Sequence, residues 1–191
     1  MQRLSFVLSH VYIWGIMMIV LGAFWMQFYA GEFPCPLCLL QRMCMILAAV
    51  GPAYVLTQMR DEGVAEKRIA DVGMGFGMSI LAAIAGMAMS TRQILLHILP
   101  GSSGYGAPVW GLHLYTWALV IFVVIIVVSG LTLVFQVPLT VMGPRDDWFT
   151  RWTLRCFGAL IIANAISAVT ISGWNLFLPD NPSGYLLFST A

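Results

Sequence analysis

Apolar residues fill long intervals of this chain, and ionised side chains mark where each interval stops. Five charge-free intervals are comparable to the ~20 residues needed to cross a bilayer. The first lies between Arg3 and Glu32, with its apolar core from Val11 to Phe28. The second runs from Met43 to Met59, bounded by Arg42 and Arg60, and is short enough to borrow the preceding turn. A third extends from Val72 to Thr91, a fourth is centred on Leu114 to Phe135, and the last lies between Arg155 and Asp180 with its core from Cys156 to Ile171. Backbone groups in hydrocarbon must be paired within the segment, so these intervals predict helices at about 8–28, 39–59, 72–91, 112–135 and 154–174. Loops are short, and neither an internal repeat nor a low-complexity tract is present. The expectation is an all-α integral membrane protein forming a single membrane domain over residues 1–191. A signal peptide competes for the first interval, but its apolar core is too long and "FYAG" lacks the small-residue pair of a cleavage site. It is expected to stay as an anchor.

Composition agrees. Hydrophobic residues make up 60% of the chain and charged residues 9%, against about 25% charged in a soluble domain. A net charge of +1 gives no argument for nucleic acid or an acidic partner. Placement of the charges sets the orientation. Arg3 precedes span one, Arg60, Lys67 and Arg68 lie between spans two and three, and Arg145, Arg151 and Arg155 lie between spans four and five. These segments share one side, so the N-terminus is expected in the cytoplasm. The segment from Tyr29 to Gln41, the loop from Arg92 to His113 and the tail after Trp174 then face outward. In a bacterial inner membrane that side is the periplasm, where disulfides persist. Trp25, Tyr29, Trp110, Tyr115 and Trp117 suit the aromatic belt at the lipid interface.

The outward turn carries "GEFPCPLCLLQR", residues 31–42. A c-type haem needs His after the second cysteine, and Leu39 stands there. Zinc would need two more ligands; His97 and His113 are on the correct side, but their separation of 16 is no finger spacing, so no metal site is expected. Two thiols one turn apart in an oxidising compartment most naturally cycle between dithiol and disulfide. The competing reading is an inert disulfide in a non-catalytic membrane scaffold. Pro34 and Pro36 fit the start of a helix, where a missing N–H costs little and the helix N-terminus stabilises a thiolate. Cys35, Cys38 and Arg42, at i, i+3 and i+7, would share a face, with Arg42 about 6 Å deeper than Cys38. Arg42 has two open readings: a snorkelling anchor, or a cationic clamp for a thiolate and for the oxygen of a reduced quinone. Electrons leaving a dithiol in a membrane need a lipid-soluble acceptor, and a quinone is the natural one. Arg92 and Gln93, at the outer end of span three, can cap that span or hydrogen-bond a quinone carbonyl. His97 is either a solvated loop histidine or a proton donor. Cys44 lies about 240° around the helix from Cys38 and reads as a buried thiol; Cys156 begins the fifth span at the other side, too far away to pair.

"CPLCLLQR" leading into a span, with "STRQILLHILP" closing the next, resembles the disulfide bond formation protein B family of bacterial inner-membrane oxidoreductases. The resemblance covers roughly residues 10 to 135 and implies a four-helix transmembrane core, to which the fifth span is an addition. It implies that Cys35 and Cys38 are the pair that passes electrons to ubiquinone or menaquinone, that Arg42 stands beside the quinone, and that Arg92 and Gln93 match the family's Arg-Gln pair. It also implies a second cysteine pair in the other periplasmic loop, exchanging disulfides with a soluble thioredoxin-like thiol oxidase. Here the match stops: residues 98–113 contain no cysteine, and neither does the tail from Ser172 to Ala191. Disulfide exchange is direct sulfur-to-sulfur attack, so either a partner thiol reaches Cys35 itself or the chain is a divergent or engineered member without its shuttle pair.

Overall fold

The computed structural model describes residues 4–58, 65–99, 104–106, 108–135, 148–174, 178–180, 182 and 184–188. Arg3, Arg60 and Arg145 of the orientation argument lie outside them. Among the described residues five helices form: α1 (Leu4–Phe28), α2 (Pro36–Gln58), α3 (Ala65–Leu96), α4 (Leu114–Val134) and α5 (Trp148–Ser172). All five are long and apolar enough to cross a membrane. Two differ instructively from the predicted intervals. α3 starts seven residues before its apolar interval, because Glu66, Lys67, Arg68 and Asp71 continue the same helix beyond the hydrocarbon; its 32 residues rise about 48 Å, more than the ~30 Å core. α2 starts three residues early, at Pro36, a residue suited to a first helical position because its missing N–H had no partner there anyway.

Local chemistry ends one helix and starts the next. α1 ends at Phe28, and three residues on the chain turns at Gly31, whose φ of 72° lies in the left-handed region that favours glycine. The N–H of Glu32 closes on the carbonyl of Met26 at 3.1 Å. Four residues later Cys35 caps α2. Its carbonyl accepts from Leu39 N–H at 3.1 Å, and its sulfur accepts from Cys38 N–H at 3.2 Å, the bond a serine or threonine oxygen makes at an N-cap.

Small residues and hydroxyls hold the bundle together, as expected where lipid removes the hydrophobic drive for helix association. α2 and α3 cross with backbones touching: a Cβ on Gly51 would collide with the Gly75 carbonyl, and one on Gly75 would meet the Gly51 carbonyl oxygen at 2.6 Å. Pro52 lies inside α2 and, having no N–H, leaves the Ala48 carbonyl without its usual helical partner. Ser79 Oγ of α3 donates to that carbonyl at 2.7 Å. α4 packs on α3 with the Phe122 ring where a side chain on Gly86 would be. α5 runs parallel to α1: Trp14 Nε1 donates to Thr153 Oγ1 at 3.2 Å, His10 Nε2 lies 3.4 Å from Thr150 Oγ1, and Gln27 Nε2 donates to Ser167 Oγ at 2.9 Å. Beyond α5 the chain folds back, with Tyr185 stacked on Phe28 and edge-on to Phe33.

Candidate active site

Cys35, Cys38, Gln41 and Arg42 come from the first two turns of α2, Gln93 from the end of α3, and Gln27 from the end of α1. Gln93 is 1% exposed. Its Nε2 lies 3.3 Å from Cys35 Sγ and 3.4 Å from Cys38 Sγ, while its Oε1 accepts from Gln41 Nε2 at 2.9 Å. Gln41 therefore sets the orientation of the Gln93 amide, turning the donating end toward both sulfurs. The helix N-terminus adds its partial positive charge at the same point. Sharing a proton with Cys38, and secondarily burial, hold the Cys35 thiol well above its ordinary value.

Arg42 is buried beside this pair. Nη1 donates to Gln27 Oε1 at 3.0 Å, and the guanidinium carbon lies 4.9 Å from the centroid of the Phe24 ring. No carboxylate among the described residues forms an ion pair with it. Gln27 is itself 2% exposed and also meets Ser167 Oγ, 3.0 Å from its Oε1.

The two sulfurs border different spaces. Cys38, Gln41 and Arg42 line an apolar cavity of about 350 Å³ between α1, α2 and α4, walled by Val20, Met45, Tyr115 and Ala118 among others. It adjoins a second apolar groove of about 350 Å³ between α1 and α4, along Val11, Gly15, Val124 and Val128; Ile19, Trp117 and Ile121 border both. Cys35 and Gln93 line a larger, more polar groove of about 960 Å³ outside the helices, with Arg92, His97, Tyr105 and Asp180. Phe33 and Tyr105 stand between cavity and groove. The Tyr105 hydroxyl donates to the Phe33 carbonyl at 2.6 Å and is kept protonated by burial and by the nearby sulfurs and Glu32.

Of the six residues singled out in sequence, the structure brings Cys35, Cys38, Arg42 and Gln93 together. Arg92 and His97 stay apart from the Arg42 cavity. Adjacent residues on a helix point about 100° apart, so Gln93 turns inward while Arg92 is exposed. His97 stacks on Tyr115, whose other neighbour is His113 at 5.2 Å between centroids. Among the described residues no three His, Cys, Asp or Glu side chains gather as metal ligands would. Cys44 packs half-buried against the apolar core. Gln27, Gln41 and Ser167 were missed in sequence. Their signal was available: an uncharged polar residue inside a span is costly in lipid and marks an inward-facing position.

Comparison with known proteins comes from two directions. The family model for disulfide bond formation protein DsbB matches residues 5–107, which include Cys35, Cys38, Arg42, Gln93, Gln27 and Gln41 but neither α4 nor α5. A disulfide bond formation protein B from Chromobacterium violaceum is 36% identical over a stretch covering 41% of this chain and 43% of the relative. One from Burkholderia pseudomallei is 28% identical, covering 59% of the chain and 79% of the relative. Disulfide bond formation protein B 2 of Burkholderia lata is 30% identical with the same coverage. No solved structure matches the chain.

Proposed function

The chain belongs to the DsbB family of disulfide bond formation proteins, and from that premise we propose that it is a quinone-linked thiol-disulfide oxidoreductase of a bacterial inner membrane. Its reductant would be the dithiol of a periplasmic thioredoxin-like protein. The observation that carries this reading is Arg42: a guanidinium 6% exposed, without a carboxylate partner among the described residues, on the wall of the apolar cavity that Cys38 lines. A buried cation without a counter-ion costs several kcal/mol, and ionisable groups at membrane depth mark sites of function. Arg42 is suited to negative charge arriving in that cavity.

The cavity fits a quinone. Its volume falls in the range of small-molecule sites, mostly apolar with a few convergent polar groups, and the adjoining groove between α1 and α4 suits an apolar tail in contact with lipid. Arg42 would hold the ring oxygen and Cys38 would border it. A bound quinone supplies the acceptor for two electrons and two protons.

The polar groove is suited to the other substrate. A partner thiolate attacks Cys35 of the Cys35–Cys38 disulfide, forming a mixed disulfide and releasing Cys38 as thiolate toward the Gln93 amide and the field of Arg42. The partner's second thiol then displaces Cys35. The products are the partner disulfide and the Cys35–Cys38 dithiol, so two electrons and two protons have moved inward. Exchange directly at Cys35 answers the absence of cysteine from residues 98–113. The basic residues at the starts of α3 and α5 support a periplasmic placement of the cysteine end.

Dithiothreitol-dependent loss of ubiquinone-1 absorbance by the purified protein in lipid tests this. Wild type is expected to turn over and Cys38→Ser to be inactive; turnover that survives Cys38→Ser removes the pair from the mechanism, and a static disulfide in a scaffold predicts no turnover in either. A thioredoxin-like partner retaining only its attacking cysteine is expected to be trapped on Cys35.

A further inference from the structure

We propose that α5, which lies outside the family match, belongs to the working site: Ser167 is a positioning residue that, through Gln27, fixes the Arg42 guanidinium on the cavity wall. The inference rests on the reading of Arg42 given above. An arginine only donates, so the Gln27 oxygen must face it, and the 3.0 Å bond from Nη1 does end on Oε1. That orientation turns Gln27 Nε2 away from Arg42 into a buried region, where Ser167 Oγ receives it at 2.9 Å. Without the hydroxyl, Nε2 would be a buried donor lacking a partner, and Oε1 would lose its contact with the same oxygen at 3.0 Å. The amide would then be held by Arg42 alone, and a shift toward another acceptor would break the bond that fixes the guanidinium.

The packing of α5 is consistent with a positional role. From Thr150 to Ile171 its buried residues are spaced alternately three and four apart, a seam that keeps one face on its neighbour. Four of them, Thr150, Thr153, Asn164 and Ser167, are polar. The three polar links to α1 join residues 139 or 140 positions apart, so a single parallel register seats all of them. Two lie near the start of α1; only the Gln27–Ser167 link reaches Arg42.

The experiment measures equilibrium binding of ubiquinone-1 by quenching of tryptophan fluorescence, Trp117 being on the cavity wall, and separately the rate at which dithiothreitol reduces the Cys35–Cys38 disulfide. Ser167→Ala is expected to raise the Kd by about three- to tenfold and leave the reduction rate unchanged. Ser167→Thr, which keeps the hydroxyl, restores affinity. Thr153→Ala removes a link of the same kind elsewhere on α5 and leaves the Kd within about twofold of wild type. In an Arg42→Ala background, Ser167→Ala adds nothing, because both act on one group. Wild-type affinity in Ser167→Ala, or an equal loss in Thr153→Ala, overturns the inference. Arg42→Ala with wild-type affinity overturns the reading beneath it as well.

Discussion

Replacing Gln93 with leucine should make the Cys35–Cys38 pair a weaker oxidant. The amide nitrogen of Gln93 approaches the two sulfurs at 3.3 and 3.4 Å, and its oxygen is held by Gln41. Reduced sulfur, with one negative charge shared between the two thiols when the pair ionises, accepts such bonds better than disulfide sulfur, so the contacts favour the reduced pair. Each is worth about 0.5–1 kcal/mol net, and 1.4 kcal/mol corresponds to about 30 mV for a two-electron couple. Gln93→Leu is therefore expected to lower the midpoint potential by about 20–45 mV. It also leaves the buried Gln41 amide without its acceptor. That loss is common to both redox states, so it lowers stability without contributing to the potential. The assay equilibrates detergent-solubilised protein with dithiothreitol redox buffers and counts alkylated thiols by mass. A potential unchanged to within about 10 mV, well below the shift derived from the bond energies, or a raised one, would refute the reasoning.

Other consequences can be checked separately. At Gly15 no atom lies within 4 Å of an added Cβ, so Gly15→Leu should preserve the fold while filling the α1–α4 groove. Affinity for a long-tailed quinone, measured by fluorescence quenching, should fall about tenfold, a change of about 1.4 kcal/mol, with ubiquinone-1 little affected. Gly51→Val forces a branched side chain into the Gly75 backbone and should destabilise the protein by about 3 kcal/mol, seen as a lower unfolding temperature in detergent. Tyr105→Phe removes the bond to the Phe33 carbonyl, worth about 1 kcal/mol. Loosening that segment should speed dithiothreitol reduction of the disulfide by about fivefold without changing quinone affinity.

The helices were legible because lipid demands it: a span must be long, apolar and internally bonded, and each demand is written locally. The entry to α2 was legible in part: Pro34, Pro36 and the two cysteines act within one turn and mark a helix start, while the apolar run alone placed the span three residues too late. What could not be read was the wiring between helices. Arg92 and Gln93 are neighbours in sequence and form one pair on paper, yet the helical turn sends one inward and the other out. Arg42 is held by Gln27 of α1, Gln93 by Gln41 of α2, and Gln27 in turn by Ser167 of α5, 140 residues away, and no local pattern pairs them. Polar residues within apolar runs identify who must find a partner, without saying which.

The central claim is that the two sulfurs separate an outer thiol-accessible groove from a membrane cavity with an electron acceptor. Anaerobic addition of one equivalent of ubiquinone-1 to the reduced protein in vesicles tests it most directly, with thiols at each cysteine counted by mass spectrometry. The account predicts loss of the thiols of Cys35 and Cys38, formation of one quinol, and retention of Cys44 and Cys156. Retention of the Cys35 and Cys38 thiols, or their equal loss when Arg42 is replaced by alanine, would contradict it.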